Sequence, residues 1–180
     1  FSLSLSGGTA TLDNSTPTKI NYIDSTASYQ LSISTTGIPD GYEELTISPV
    51  ENSIFDAANN VARTDQAINK VKLIDKALPI IESISIASSN ATVTVKLSEP
   101  VFSTAFGIGE LSFADFLLTV SGGTASLPLP FPDGITKTTD STFVLGIKTE
   151  GIQSGREQLT VRHHQARFMI EQVMLLTLVI

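Results

Sequence analysis

Apolar residues recur with period two along most of the chain. Ile84 and Ile86 alternate with Ser83 and Ser85, and Val93, Val95 and Leu97 alternate with Thr92, Thr94 and Lys96. The same rhythm runs through Leu31 and Ile33, through Leu145 and Ile147, and through Val71 and Leu73. Strict alternation with polar partners predicts strands that put one face on a core and the other in water. Turn signals divide these runs: Gly7-Gly8, Pro39-Asp40-Gly41, Ser89-Asn90, Gly122-Gly123 and Pro132-Asp133-Gly134. Strands spaced by roughly ten residues predict an all-β sandwich with Greek-key connections. The short run from Asp56 to Asn60 reads as a loop or a single turn.

The chain repeats itself. Phe1 to Leu12, FSLSLSGGTATL, matches Phe116 to Leu127, FLLTVSGGTASL, at eight of twelve positions with an offset of 115. Tyr29 to Ile47 then matches Phe143 to Val161 at nine of nineteen positions, with an offset of 114. A one-residue deletion between the two blocks accounts for the change. A unit of about 115 residues suits an independently folding sandwich. The segment Leu73 to Pro79 ends one strand, breaks at Pro79 and leads into the next at Ile80. The expected organisation is therefore two incomplete sandwiches in tandem. Residues 1–78 lack the counterparts of the strands in 79–115, and residues 79–161 lack a closing strand like Ala67 to Ile74. Exposed sheet edges are expected at the N-terminus and around residue 162, with a tendency to aggregate.

Beyond Val161 the match fails, and residues 162–180 form an aberrant tail. Joining the last base of each codon to the first two of the next restores the repeat. Met169-Ile170 then gives Asp opposite Asp56, Phe168-Met169 gives Tyr or His opposite Phe55, and Glu171-Gln172 gives Ala or Thr opposite Ala58. Gln172 to Leu175 permit Gly or Ser, Asn, and Val or Ala opposite Asn59, Asn60 and Val61, whereas Ile170-Glu171 departs, giving Arg or stop opposite Ala57. The tail thus reads as a frameshifted copy of the repeat, the alternative being an ordinary apolar tail or edge strand. Its thirteen apolar-rich residues from Phe168 include Glu171, too short a run for the ~20 that span a bilayer.

Composition narrows the function. The chain is 41 % hydrophobic and only 16 % charged, with a net charge of −7, which opposes nucleic-acid binding because phosphate contacts need clustered Lys and Arg. With no cysteine, disulfides and thiol catalysis are both excluded. The chain opens in a strand-like run, without the charged and apolar regions of a signal peptide. The two histidines, His163 and His164, are adjacent and would point to opposite faces of a strand, a poor metal pair. The paired glycines recur without a following helix, so they read as turn residues and not phosphate cradles. Glu43-Glu44 becomes Glu157-Gln158 in the second copy, which reads as a solvated strand face. Tyr29, matching Phe143, reads as core. Tyr22, Tyr29 and Tyr42 look scattered, and there is no Trp, so no shared aromatic platform for sugars is evident.

The joint D-K-x-x-P (Asp75 to Pro79), N-x-x-V-x-V-x-x-S-E-x-V (Asn90 to Val101), S-x-x-D-F (Ser112 to Phe116), S-G-G-T-A and I-F-D-A-A-N-N-V together resemble bacterial immunoglobulin-like repeats of large surface proteins and adhesins. Leu97 stands where such repeats usually have Phe, and Asn59 where they have Gly. The resemblance covers residues 1–161. It implies a non-catalytic stalk, spacer or adhesive module, extracellular or on a bacterial cell surface. The implied partners are neighbouring repeats of the same chain and surface glycans or proteins, with no nucleic acid and no membrane insertion. The alternative is an accessory spacer or carbohydrate-binding module attached to an extracellular hydrolase. Calcium is the one cofactor to weigh, since hard cations take carboxylate and carbonyl oxygens. Its candidate ligands are Asp56, Asp75, Glu99 and Asp115; the competing reading is that Asp56 and Asp75 cap turns and Glu99 is a surface charge.

Overall fold

A computed structural model describes residues 1–23 and 28–164, and the backbone of 176–179. The chain is all-β and divides into two compact units, Phe1–Ala77 and Leu78–Ile180.

The first unit contains β1 (Ser2–Ser6), β2 (Thr11–Leu12), β3 (Lys19–Ile23), β4 (Ser28–Ser32), β5 (Thr35–Thr36), β6 (Glu44–Ser48) and β7 (Lys70–Lys72). They form three antiparallel sheets, in the orders β1-β6-β7, β3-β4 and β2-β5. The second unit contains β8 (Ile81–Ile86), β9 (Thr92–Leu97), β10 (Phe116–Ser121), β11 (Ile135–Thr139), β12 (Thr142–Gly146), β13 (Gln158–His163) and β14 (Leu176–Val179). Its two sheets run β11-β12-β9-β8 and β10-β13-β14.

The repeat in sequence is a repeat in register. Leu3 and Leu5 of β1 lie opposite Ile47 and Leu45 of β6. Their counterparts Leu118 and Val120 of β10 lie opposite Val161 and Leu159 of β13. Ile20 pairs with Leu31 across β3 and β4, as Ile135 pairs with Leu145 across β11 and β12. The offset is 115 for the first member of that pair and 114 for the second, so the deletion falls in the turn between them. The short β2-β5 ladder, Thr11 opposite Thr36, recurs as the bridge between Ser126 and Glu150.

Burial does not repeat. In the second unit the inward residues of both sheets share one core: Val93, Val95 and Leu97 from β9, Phe143 and Leu145 from β12, Phe116 and Leu118 from β10, and Leu159 and Val161 from β13. This is the sandwich arrangement that period-two strands predict. Among the described residues, twelve apolar residues of the second unit are buried, against three in the first unit, Leu3, Ala10 and Leu45. The cause is topological. β12 has neighbours on both sides, β11 and β9, whereas β4 has β3 alone among the described residues.

Several expectations are thereby corrected. Tyr29 is 54 % exposed although its counterpart Phe143 is 1 % exposed: β12 pairs with β9 beside Phe143, whereas β4 pairs with β3 alone among the described residues. Val71 is exposed and β7 is only three residues long, since Lys70 to Lys72 hang on the outer edge of β6 without a second sheet beneath them. The second unit also carries a strand within the tail beyond residue 161. β14 pairs along β13, setting the backbone of Leu178 opposite Leu159, where β7 sets Val71 opposite Leu45. An open ladder bonds through main-chain groups, so a stretch of unrelated sequence can occupy it. Residues 165–175, which hold most of the inferred frameshift, lie outside the described residues. Asp56 to Asn60 form a tight turn, bridged by Phe55 and Val61. No helix among the described residues is long and apolar enough to cross a membrane.

The asymmetry of burial predicts an asymmetry of mutational cost. Phe143→Ala is expected to destabilise the second unit by about 3–5 kcal/mol, and Tyr29→Ala to cost about 1 kcal/mol or less. Urea unfolding combined with amide exchange, at Val93 and Val95 for the second unit and at Leu3 and Leu45 for the first, measures both. Equal costs would contradict the burial described.

Candidate functional site

The most organised polar feature occurs twice. Glu43 and Glu157, at equivalent positions, are 0 % and 1 % exposed. Each stands just before β6 or β13 and turns its carboxylate under the glycine turn that follows β1 or β10. Glu43 Oε1 accepts hydrogen bonds from the backbone N–H groups of Thr9 and Ala10, at 2.9 Å each. Its Oε2 accepts from Asp40 at 3.0 Å and Gly41 at 3.1 Å. Glu157 repeats the arrangement. Its Oε1 accepts from Thr124 N–H at 2.9 Å, Ala125 N–H at 3.2 Å and the Ser154 hydroxyl at 3.0 Å, and its Oε2 from Ser154 N–H at 3.0 Å and Arg156 N–H at 3.1 Å.

These carboxylates are therefore not on a solvated strand face. Burial of a charge is tolerated where its lone pairs are filled by donors, and here convergent main-chain N–H groups fill them. For Glu43, burial pushes the pKa up, but the N–H groups of Ala10, Glu43 itself, Thr9 and Asp40 outweigh it and hold it below the usual value. For Glu157 the Ser154 and Thr124 N–H groups dominate over burial, and hold the carboxyl well below the ordinary glutamate range.

The glycines are fixed by the same contact. A Cβ on Gly8 would overlap the Glu43 carboxyl, and one on Gly123 the Glu157 carboxyl. A Cβ on Gly7 or Gly122 would lie 2.5 Å or 2.6 Å from the carbonyl oxygen of Tyr42 or Arg156. All four have positive φ, a region that glycine enters without steric cost. The turn does cradle an anion, and the anion is the protein's own glutamate. The signal in sequence was the persistence of Glu43 as Glu157 while its neighbour Glu44 became Gln158.

The calcium candidates fall elsewhere. Asp56 closes its own turn, accepting from Ala58 N–H at 2.9 Å, Asn60 N–H at 2.8 Å and the Asn60 amide at 2.8 Å; the Asn60 side chain and N–H lower its pKa. Asp75 accepts from Ala77 N–H at 2.9 Å. Both are Asx-type turns. Glu99 is half-buried just past β9. Asp115 is buried, and its Oδ2 accepts from Ser112 N–H at 2.7 Å and the Ser112 hydroxyl at 2.9 Å in a capping box. No group of three or more His, Asp or Glu side chains placed to hold a metal occurs among the described residues. His163 ends β13 opposite Phe116, and the His164 ring meets Phe131 edge-on at 5.8 Å.

One constellation escaped sequence reasoning. Tyr22 and Tyr29 are directly opposite on β3 and β4, not scattered. Their rings lie 5.3 Å apart, with Phe1 6.3 Å from Tyr29. Ile20, two residues from Tyr22 on the same face of β3, extends the patch at 50 % exposure. Comparison with known proteins finds no matching family, no matching relative and no matching solved structure.

Three predictions follow from the placement of the carboxylates. Because the Glu157 pKa is depressed on folding, its contribution is complete above the ordinary value of 4.5 and is lost as pH falls below it. Glu157→Gln should therefore weaken the second unit at neutral pH, with the deficit relative to the parent shrinking in denaturant titrations below pH 4.5. A deficit that stays constant with pH would mean the charge is irrelevant. Gly123→Ala should cost more than about 1 kcal/mol, and millimolar calcium should leave the melting temperature of the chain unchanged.

Proposed function

We propose that the chain is a non-catalytic structural or adhesive repeat module, a stalk or spacer of a bacterial surface or secreted protein, built from immunoglobulin-like sandwiches. The observation that carries this reading is the duplication of an entire hydrogen-bond pattern. The β1-β6 and β10-β13 registers agree residue for residue, and the buried carboxylate recurs with its turn. Identities concentrate on residues that hold the scaffold: Gly7, Gly8, Ala10, Leu45 and Glu43 with their counterparts. Side chains outside it diverge, as Tyr42 does to Arg156. Repetition of scaffold with freedom at the surface suits a part whose task is to add length.

Family analogy supplies the cellular setting, a weaker warrant than a site. The accessory-module reading, with carbohydrate binding, is favoured by one observation, the exposed Tyr22-Tyr29 pair.

Single-molecule stretching of the whole chain tests the spacer role. The second unit should resist extension and then open in one step, releasing roughly 360 Å at about 3.5 Å per residue over residues 78–180. Extension without a force peak would sink the proposal. Saturable binding on a glycan array would favour the accessory module instead.

A further inference from the structure

Two tripeptides of the same sequence meet different surroundings. Pro39-Asp40-Gly41 and Pro132-Asp133-Gly134 share an Asp-Gly pair, in which the glycine nitrogen can attack the preceding carboxyl without a Cβ in its way. At Asp40 the structure holds both reacting groups. Gly41 N–H donates to Glu43 Oε2 at 3.1 Å, and Asp40 Oδ1 accepts from Tyr42 N–H at 3.1 Å. A Cβ on Gly41 would lie 3.1 Å from the Asp75 Cβ, so this turn is packed as well as bonded. At Asp133 neither group is held. Asp133 is exposed, and among the described residues its carboxylate accepts no hydrogen bond and Gly134 N–H donates none. A Cβ on Gly134 would meet nothing within 4 Å. Asp133 Cγ and the Gly134 nitrogen lie 3.1 Å and 3.3 Å from the point a Cβ on Gly146 would take, so carboxyl and nitrogen sit on the same side of the chain.

We propose that Asp133 is a site of spontaneous isoaspartate formation, and that the Glu43 carboxylate protects Asp40 from the same reaction. The Gly134 nitrogen bonds to Asp133 Cγ, a C–O bond of the protonated carboxyl breaks, and that oxygen leaves as water with the amide proton. The resulting succinimide takes up water at either carbonyl. Opening at the main-chain carbonyl leaves the chain linked through Cγ, with a methylene added to the backbone and no net change of mass. The insertion falls at the end of a ladder. Asp133 N–H donates to Gly146 O at 3.2 Å, and Gly146 N–H donates to Gly134 O at 2.9 Å. These two bonds flank the inserted methylene, so both cannot keep their geometry. Ile135, the first residue of β11, packs against the core, and the modification therefore frays β11 from its entrance. None of this depends on a spacer role for the chain.

Ageing the 180-residue chain at neutral pH tests the proposal, with mapping by an endoproteinase that cuts before aspartate but not before isoaspartate. Resistance should build up at Asp133 at least about tenfold faster than at Asp40, the rate equivalent of first giving up one charge-assisted hydrogen bond. Ageing in heavy-oxygen water should label the same site, as hydrolysis of a succinimide requires. Gly146 N–H should exchange faster in the converted fraction. In urea the two sites should convert at similar rates, since both lie in Pro-Asp-Gly. Gly134→Ala, for which the structure has room, should keep the fold and slow conversion at Asp133. Equal rates at the two sites in the folded chain, or the same excess at Asp133 in urea, would overturn the proposal. So would a folded Asp133 that stays intact while a synthetic peptide of residues 130–137 converts in the same buffer.

Discussion

A buried carboxylate held by main-chain N–H groups is the constraint on which each unit depends. Glu43 ties the turn after β1 to the loop before β6, and Glu157 ties the turn after β10 to the loop before β13. Neither is paired with a cation. Their charge is balanced by four or more backbone dipoles, which would otherwise be orphan donors in a water-poor turn. Donor and acceptor therefore solve each other's desolvation problem. The solution also restricts the sequence around it. The loop must supply two or three N–H groups on one side, and the glycine pair must let the backbone come close enough on the other.

That dependence explains which parts of the molecule were legible in sequence. The ladders were legible, because alternation such as that at Val93 and Val95 separates the two faces of a strand. The repeat was legible from identities at Gly7, Gly8, Ala10, Leu45 and their counterparts. The glutamates were misread because a charged residue at a strand entrance ordinarily faces water, and sequence does not list the donors that a loop will aim at it. Persistence of Glu43 beside a changing Glu44 was the available clue.

Tyr29 failed for a different reason. Its pattern, its partner across the ladder and its ring contact with Phe1 all match those of Phe143. Local sequence sets conformation and register, but burial belongs to whatever lies on the far side. The first unit places its aromatic rings as the second does and leaves them exposed. The scattered appearance of the tyrosines had the same origin, since the two rings are seven positions apart in sequence and the β3-β4 ladder sets them side by side, tilted at 59°.

The two units also show that completing a ladder and completing a core are distinct demands. The edge of β13 accepts the backbone of β14, a stretch that follows no repeat pattern. Main-chain donors and acceptors are identical in every residue but proline, so any extended segment without one can satisfy an edge. The edge of β4 differs, because the face beside it carries Ile20, Tyr22 and Tyr29. A strand placed there must pair and also cover those side chains, and only an apolar set of the right period and register does both.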